Sequence, residues 1–200
     1  RERQGNARER AGVRRRTSDT AGSANMEFEK TVYLLIGAKG SGKTYIGEIL
    51  AKSLGVRFLS VEPLLIAHIA LAKSPSDRLE YDGYDIEESA IDEILLTQNE
   101  VITESTGSSE HLLNFIRNLR TKYTIRLMRV LCPLEECFKR VKSRNAADQF
   151  YVPDDRINSI NEKTIRLELD WDLEIDNAGP ALDADICAQF ESVRGSASCG

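Results

Sequence analysis

The chain has 200 residues, of which 41% are hydrophobic and 30% are charged, and its formal net charge is −5. That length suits one globular domain that buries about 70% of the surface of its unfolded chain. No apolar run approaches the roughly 18 residues that cross a bilayer, and the acidic balance argues against a broad nucleic-acid surface. The four cysteines show neither C-x-x-C pairing nor zinc spacing with the two histidines. We therefore expect no membrane segment and a reduced, cytoplasmic location.

The first 25 residues differ in composition from the rest of the chain. They carry seven arginines against three acidic residues and show no apolar periodicity, so we expect a disordered basic arm over residues 1–25. Met26 is the first methionine and stands just before the first predicted strand, which favours Met26 as the native start. The alternative is a targeting or interaction arm built on three consecutive arginines, residues 14–16. Residues 26–194 are expected to form one domain, and residues 195–200 a frayed end.

An apolar run over residues 31–36 leads directly into a match to the pattern G-x-x-x-x-G-K-[ST]. Apolar positions at helical spacing follow, and Gly55 stands where a helix C-cap belongs. Strand, loop and helix thus come in the order that a phosphate-binding loop requires. In such a loop backbone N–H groups surround phosphates, the lysine reaches the terminal phosphates, and the hydroxyl holds Mg²⁺. The residues of this loop are Gly37, Ala38, Lys39, Gly40, Ser41, Gly42, Lys43 and Thr44, and Tyr45 follows them as a further nucleotide-binding candidate.

A short β-prone run, residues 56–61, predicts a second strand that is closed by Glu62. Its carboxylate is then expected at the carboxyl end of a strand, where ligands of open α/β sheets bind. Residues 64–72 are apolar nearly all round and predict a buried helix, with His68 as a core histidine. A polar loop is predicted next, before a helix over residues 86–96. Its charged and aromatic residues suit the binding of a polar small molecule but are equally common in solvated loops; they are Arg78, Tyr81, Asp82, Gly83 and Tyr84.

The third predicted strand, residues 100–104, also ends in a carboxylate, Glu104, and a Ser-Thr-Gly turn containing Thr106 follows it. Further along the chain, a helix with an apolar face and a fourth strand over residues 123–131 are predicted. Carboxylates at strand ends could instead be solvated or cap a helix. Two acid-tipped strands beside a phosphate loop nevertheless favour a shared site.

A helix starting at Pro133 carries Arg140 and Arg144 on one face, either as a clamp for phosphate or adenine or as cations suited to a helix C-terminus. A lid is predicted over about residues 145–156, with Arg156 opening the helix over residues 154–169. Residues 170–177 predict the fifth strand, a turn at Pro180 follows, and a last helix closes the domain. Alternating strands and helices predict an α/β fold, a three-layer α/β/α sandwich around a five-stranded parallel sheet with right-handed crossovers.

These motifs resemble the small P-loop kinases, the group of P-loop NTPases that includes nucleoside monophosphate, shikimate, gluconate and zeta-toxin-type kinases. The resemblance covers about residues 30–194. It implies that one arginine of the Arg140 and Arg144 helix lies against adenine and another reaches phosphates, and that the Pro180 loop packs on the adenine. It also implies that Glu62 holds the acceptor hydroxyl or acts as base.

The resemblance further implies ATP and Mg²⁺ as cofactors and a small-molecule acceptor, with catalysis by Lys43, Glu62, Arg140 and Arg144. Thr44 and Glu104 are the metal candidates, and the roles of Glu62 and Glu104 could be exchanged. The sequence lacks the Asp-x-Asp motif and glycine triplet of shikimate kinases and the dense lid arginines of adenylate kinases, which argues against shikimate and nucleoside monophosphates as acceptors. The substrate candidates are Glu62, Arg78, Glu104, Thr106 and Arg156.

We therefore predict a monomeric or homodimeric kinase that transfers the γ-phosphoryl group of ATP to a hydroxyl or phosphate of a small metabolite. Two other classes remain open. One is a regulatory NTPase or ATPase without an acceptor, although the guanine-recognition motif Asn-Lys-x-Asp is missing. The other is a nucleotide-binding module without turnover, because the loop by itself indicates phosphate binding only.

Overall fold

The computed structural model describes residues 30–71, 79–143, 152–179 and 182–194. The predicted basic arm, the frayed end and most of the predicted lid lie outside the described residues. So do three predicted site residues, Arg78, Arg144 and Pro180, and the side chains of Tyr81 and Asp82.

Strands and helices alternate along nearly the whole described chain. In order they are β1 (Thr31–Gly37), α1 (Lys43–Leu54), β2 (Arg57–Leu59), α2 (Val61–Leu71), α3 (Leu79–Ile94), β3 (Glu100–Ser105), α4 (Leu112–Arg120), β4 (Thr124–Leu131), α5 (Leu134–Ser143), α6 (Asp154–Ile165), β5 (Leu173–Asp176) and α7 (Asp183–Arg194). The strand order in the sheet is β2-β3-β1-β4-β5, and all neighbouring strands are parallel. The predicted α/β fold with a five-stranded parallel sheet is confirmed.

Two hydrophobic clusters cover the two faces of the sheet. Side chains of β1 alternate between them, as the period of two in a strand requires. Val32, Leu34 and Ile36 pack with residues of α3 and α4, whereas Tyr33 and Leu35 pack with residues of α1 and α7. Because β1 is central and buried on both faces, the loop that follows it is held at the middle of the carboxyl edge of the sheet.

The segment around Glu62 differs from its prediction. Strand β2 is only three residues long, and Glu62 lies in the first turn of α2 rather than at the end of a strand. Glu62 is followed by Pro63, and the first turn of a helix tolerates proline and favours a carboxylate near its positive end. The predicted polar loop is also wrong where it is described, because α3 begins at Leu79 and residues 81–84 are helical.

Helix α2 is not the buried helix that its apolar sequence predicts. The described side chains of residues 61–68 are half-buried or exposed, and His68 is exposed rather than in the core. In the described part of the chain α2 contacts α3 and β3, and these neighbours leave much of its apolar surface uncovered. Of the helices in the described segments, none combines the length and apolar character needed to cross a bilayer.

Helix α6 is shorter than predicted and ends at Ile165. Residues 167, 169 and 171 continue without helical structure and pack against the cluster that α3 and α4 form with the sheet. Strand β5 accordingly begins only at Leu173. With this course of the chain, α6 lies beside β1 and the loop that follows β1.

Candidate active site

The loop between β1 and α1 has the backbone that the sequence pattern predicts. Gly40 and Gly42 have φ values of 92° and 95°, a backbone conformation that residues with a side chain rarely adopt. A Cβ atom on Gly40 would lie 2.2 Å from the Cys137 carbonyl oxygen, and one on Gly42 would lie 2.1 Å from Asn177 Nδ2. The loop therefore needs glycine at both positions.

Two buried asparagines hold the loop in place from other elements. Asn161 of α6 accepts from the Lys39 backbone N–H (2.7 Å) and donates through Nδ2 to the Lys39 carbonyl (3.3 Å). Asn177, just after β5, donates to the Ser41 carbonyl over 2.7 Å. Sequence reasoning missed both residues. The sequence contained a hint for each: Asn161 stands on the apolar stripe of α6, four residues after Ile157, and Asn177 stands at the carboxyl end of β5. A polar residue in either place suggests a buried hydrogen bond.

Lys43 and Ser41 supply the polar groups of the loop interior. Lys43 is buried, and its ammonium donates to the carbonyls of Gly37 (2.9 Å) and Ala38 (3.1 Å). Ser41 Oγ is the buried side-chain polar atom without a hydrogen-bond partner among the described residues. A buried cation and an orphaned hydroxyl beside a run of backbone N–H groups fit the phosphate chain of a nucleotide.

Thr44 and Glu104 meet at the mouth of the loop because β1 and β3 are neighbours in the sheet. Thr44 Oγ1 donates to Glu104, with distances of 2.9 and 3.2 Å to the two carboxylate oxygens, and Ser60 Oγ donates to Oε1 over 3.2 Å. Hydroxyl and carboxylate oxygens are the ligands that Mg²⁺ prefers. Within the described segments no group of three His, Cys, Asp or Glu residues forms a metal cage. The Thr44 hydroxyl and the Glu104 carboxylate fit Mg²⁺ that takes its other ligands from water and phosphates.

Glu62 lines the same cleft. Its Oε1 lies 3.3 Å from Lys39 Nζ, and both side chains are largely withdrawn from solvent, with 28% and 14% of their surface exposed. Glu62 lies in the first turn of α2, which places its side chain in the cleft. The two carboxylates that sequence reasoning selected thus lie in one cleft.

A third carboxyl group, Glu87 of α3, lies in this cleft and was not predicted. Glu87 is 2% exposed, and its Oε1 accepts a 2.6 Å hydrogen bond from Thr103 Oγ1. The pKa of Glu87 is raised to about 8, mainly by burial and also by the nearby charge of Glu104, against the lowering effect of the hydrogen bond from Thr103. Burial therefore favours the protonated form of this carboxyl group. Its sequence context, next to Glu88, is typical of a solvated helix face and gave no signal.

The cleft has a volume of about 380 Å³. The loop after β3 forms one wall, where Thr106 Oγ1 lies 3.1 Å from Ser108 Oγ, and Thr164 of α6 donates to the Thr106 carbonyl over 2.6 Å. Thr106, a predicted substrate residue, lines the cleft. Arg156, another predicted substrate residue, lies on the exposed surface of α6 and is not among the described lining residues. The lining residues are Lys39, Gly40, Gly42, Lys43, Thr44, Val61, Glu62, Leu65, Gly83, Tyr84, Glu87, Glu104, Ser105, Thr106, Ser108, Ser109, Val152 and Ile160.

Arg140 and Tyr45 lie on the other side of the loop. Arg140 Nε donates to Glu136 Oε1 over 3.0 Å, and its Nη1 is 3.8 Å from the point where a Cβ of Gly42 would stand. Tyr45 is exposed and its hydroxyl donates to Asp183 at the start of α7 over 3.1 Å. Tyr45 therefore contacts the first residue of α7, and Arg140 lies near Gly42 of the phosphate loop.

Comparisons with known proteins agree with this fold. A family model described as an AAA domain matches residues 32–166. A putative kinase from Chloroflexus aurantiacus J-10-fl is similar with a TM-score of 0.66 and 16% identity, over 82% of this chain and 98% of that chain. A sugar kinase from Janibacter sp. HTCC2649 has a TM-score of 0.60 and 17% identity, over 84% and 96% of the two chains. Shikimate kinase from Aquifex aeolicus has a TM-score of 0.56 and 20% identity, over 85% and 99%.

At these identities the structural likeness establishes the fold alone. The comparison with curated protein sequences gives no significant match. The family match, in contrast, spans more than half of the chain. The protein therefore belongs to this AAA-domain family and has the fold of the small P-loop kinases.

Proposed function

We propose that the protein is a phosphotransferase that moves the γ-phosphoryl group of ATP to a hydroxyl group of a small metabolite. One observation carries the proposal. A single cleft of about 380 Å³ is lined by the hydrogen-bonded pair Thr44 and Glu104 and also by Glu62. A nucleotide phosphate and a small acceptor could therefore meet in it, which is the main requirement of phosphoryl transfer.

The nucleotide half of the site would use the loop and its neighbours. The Lys43 ammonium exchanges its bonds to the Gly37 and Ala38 carbonyls for the terminal phosphate oxygens. Thr44 and Glu104 would hold Mg²⁺, which neutralises charge on the phosphates. Arg140, beside Gly42, offsets further negative charge or lies against the base, and Arg144 and Pro180 remain candidates from the sequence.

The acceptor half would use Glu62. Its carboxylate accepts a hydrogen bond from the acceptor hydroxyl and orients that oxygen toward the phosphate loop. In the transfer, the bond from the acceptor oxygen to the γ-phosphorus forms, the bond from phosphorus to the bridging oxygen of ADP breaks, and the hydroxyl proton passes to Glu62. Glu104 is the other carboxylate of the cleft, and Thr106, Arg78 and Arg156 are further substrate candidates from the sequence.

A nucleotide-binding NTPase without a small-molecule acceptor is the second candidate. The cleft argues against it, because a hydrolase needs space for one water, whereas this cleft extends from the phosphate loop to α2 and α3.

The test is ADP release from MgATP, measured with and without a panel of small hydroxyl compounds, together with the affinity for ATP. We expect an acceptor to increase ADP release. We expect Lys43→Ala to weaken ATP binding by roughly a hundredfold or more, because a charge-assisted contact to phosphate is lost. The matched control is Lys52→Ala, which removes an exposed lysine from the last turn of the same helix.

ATP binding that is unchanged in Lys43→Ala would contradict the proposed nucleotide site. ADP release that is rapid and indifferent to every acceptor would favour the acceptor-free NTPase instead.

A further inference from the structure

We propose that the acceptor is an uncharged, hydroxyl-rich molecule of the sugar or polyol class, rather than one that carries a carboxylate or phosphate. This inference rests on the proposed function and names the substrate class of the same site. It follows from the charge, the hydroxyl content and the apolar surface of the cleft wall beyond the phosphate loop.

The positive charges that line the cleft are offset by carboxylates of the same cleft. Among the described residues that line the cleft, the cations are Lys39 and Lys43, which both belong to the phosphate loop. Lys39 is already engaged with Glu62 at 3.3 Å, in a partly desolvated pair. An anionic acceptor would have to displace Glu62 from Lys39 and leave that carboxylate close to its own negative charge, which is costly in a partly buried site. An uncharged acceptor meets no such penalty.

The remaining polar groups of the wall are mainly hydroxyls. They come from one residue of α3 and from the end of β3 and the loop after it: Tyr84, Ser105, Thr106, Ser108 and Ser109. A hydroxyl group both donates and accepts, so a row of them suits the hydroxyls of a polyol, which do the same. Recognition of a carboxylate or phosphate typically uses the fixed fork of an arginine, and no arginine lines the described part of the cleft.

This hydroxyl wall is held in a fixed shape. Gly107 N–H donates to Ser105 Oγ (3.1 Å), Tyr84 Oη lies 3.3 Å from the same Oγ, and Thr164 fixes the Thr106 carbonyl from α6. Pre-organised polar groups lower the entropic cost of binding a small polar ligand.

The cleft also has apolar lining residues: Val61 and Leu65 from α2, Val152 just before α6, and Ile160 of α6. A ring sugar or a cyclitol has C–H faces as well as hydroxyl edges. Such a molecule could place its C–H faces on these apolar side chains and its hydroxyl edge on the loop after β3.

The test compares acceptors that share a hydroxyl skeleton but differ in charge. ADP release from MgATP is measured first with D-glucose and its charged relatives D-gluconate, D-glucose 6-phosphate and D-glucosamine. It is then measured with D-ribose against D-ribose 5-phosphate and with free nucleosides against their monophosphates. The polyol myo-inositol is a further uncharged compound. We expect kcat/KM for the best uncharged compound to exceed that of its charged counterparts at least about tenfold. A preference for a carboxylate, phosphate or amino form would overturn the inference and leave the proposed function standing. No turnover with any compound, despite ATP binding, would overturn both.

A pair of variants tests the charge argument directly. Leu65→Arg adds a cation to the cleft wall, and Ile66→Arg adds the same cation to the neighbouring exposed position of α2. We expect Leu65→Arg, and not Ile66→Arg, to raise kcat/KM for the acid form relative to the uncharged form about tenfold. Equal ratios in both variants and the parent protein would contradict a site whose charge selects the acceptor.

Discussion

At the scale of single residues, Glu87 shows most clearly how tertiary packing changes the chemistry of a side chain. Its carboxyl group is enclosed between α3 and β3, hydrogen-bonded to Thr103 and close to Glu104. Desolvation disfavours its charged form more than the hydrogen bond favours it, so the pKa rises from an ordinary value of 4.5 to about 8. The folded protein therefore keeps a proton here that the unfolded chain releases.

This difference predicts a pH dependence of stability. Between about pH 4.5 and pH 8 the folded state binds more protons at Glu87 than the unfolded state, so the free energy of unfolding should fall as pH rises through this window. The slope due to one group is at most about 1.4 kcal/mol per pH unit. Glu87→Gln, which keeps the shape and an acceptor for Thr103, should flatten this slope in urea denaturation at pH 5 to 8.5.

The control for that experiment is Glu93→Gln, which removes an exposed carboxylate from the same helix. It should leave the slope unchanged. If Glu87→Gln and the parent protein kept parallel pH profiles, the carboxyl group would be ionised in the folded state and the assignment would be wrong.

The residues of the phosphate loop could be predicted because they are contiguous. Eight residues between a strand and a helix carry the whole pattern, and the glycines, Lys43 and Thr44 lie where the pattern requires. Glu62 and Glu104 were also selected, since each lies near the end of a predicted strand. Asn161 and Asn177 were missed because their partners are distant in sequence: Asn161 and Lys39 are 122 residues apart, and Asn177 and Ser41 are 136 apart. Glu87 was missed because its burial depends on how α3 packs against the sheet.

At the scale of elements, α6 is the helix that links the region after the predicted lid to the phosphate loop. Asn161 forms both hydrogen bonds to the backbone of Lys39, and Thr164, one turn later, holds the loop after β3. One face of α6 thus fixes two walls of the cleft.

We predict that Asn161→Ala lowers the free energy of unfolding by about 1–3 kcal/mol and weakens ATP binding several-fold, because the partly buried backbone groups of Lys39 lose their partners. Denaturant titration and nucleotide-binding measurements check both effects. Asn158→Ala, on the exposed side of the same helix, should change stability by no more than about 0.5 kcal/mol. Full ATP affinity in Asn161→Ala would mean that α6 does not position the loop.

At the scale of the whole molecule, the sheet is completed by elements outside the part that the family model matches, which ends at residue 166. Strand β5 and helix α7 contribute Ile175, Ile186 and Phe190 to the cluster under the phosphate loop. The Phe190 ring lies 4.6 Å from that of Tyr33 on β1, and both side chains are fully buried. The strand that leads into the active site is therefore stabilised by the last helix.

We predict that Phe190→Ala lowers the free energy of unfolding by about 3–5 kcal/mol, as expected for a cavity in place of a buried aromatic ring. Leu113→Ala, which shortens a side chain that is 54% exposed, should cost no more than about 0.5 kcal/mol. Equilibrium urea denaturation of both variants measures the difference. Similar losses in the two variants would contradict the placement of α7 over the sheet.

The sequence by itself determined the order of strands and helices, the parallel sheet and the phosphate loop. Periodicity and a contiguous motif are local properties, and a parallel sheet is the solution that alternating elements allow. The tertiary structure decided the lengths and packing of β2, α2 and α3, the protonation of Glu87 and the asparagines that hold the loop. These depend on which surfaces meet, since an apolar helix such as α2 is buried or exposed according to its neighbours, and a pKa depends on the burial of its group.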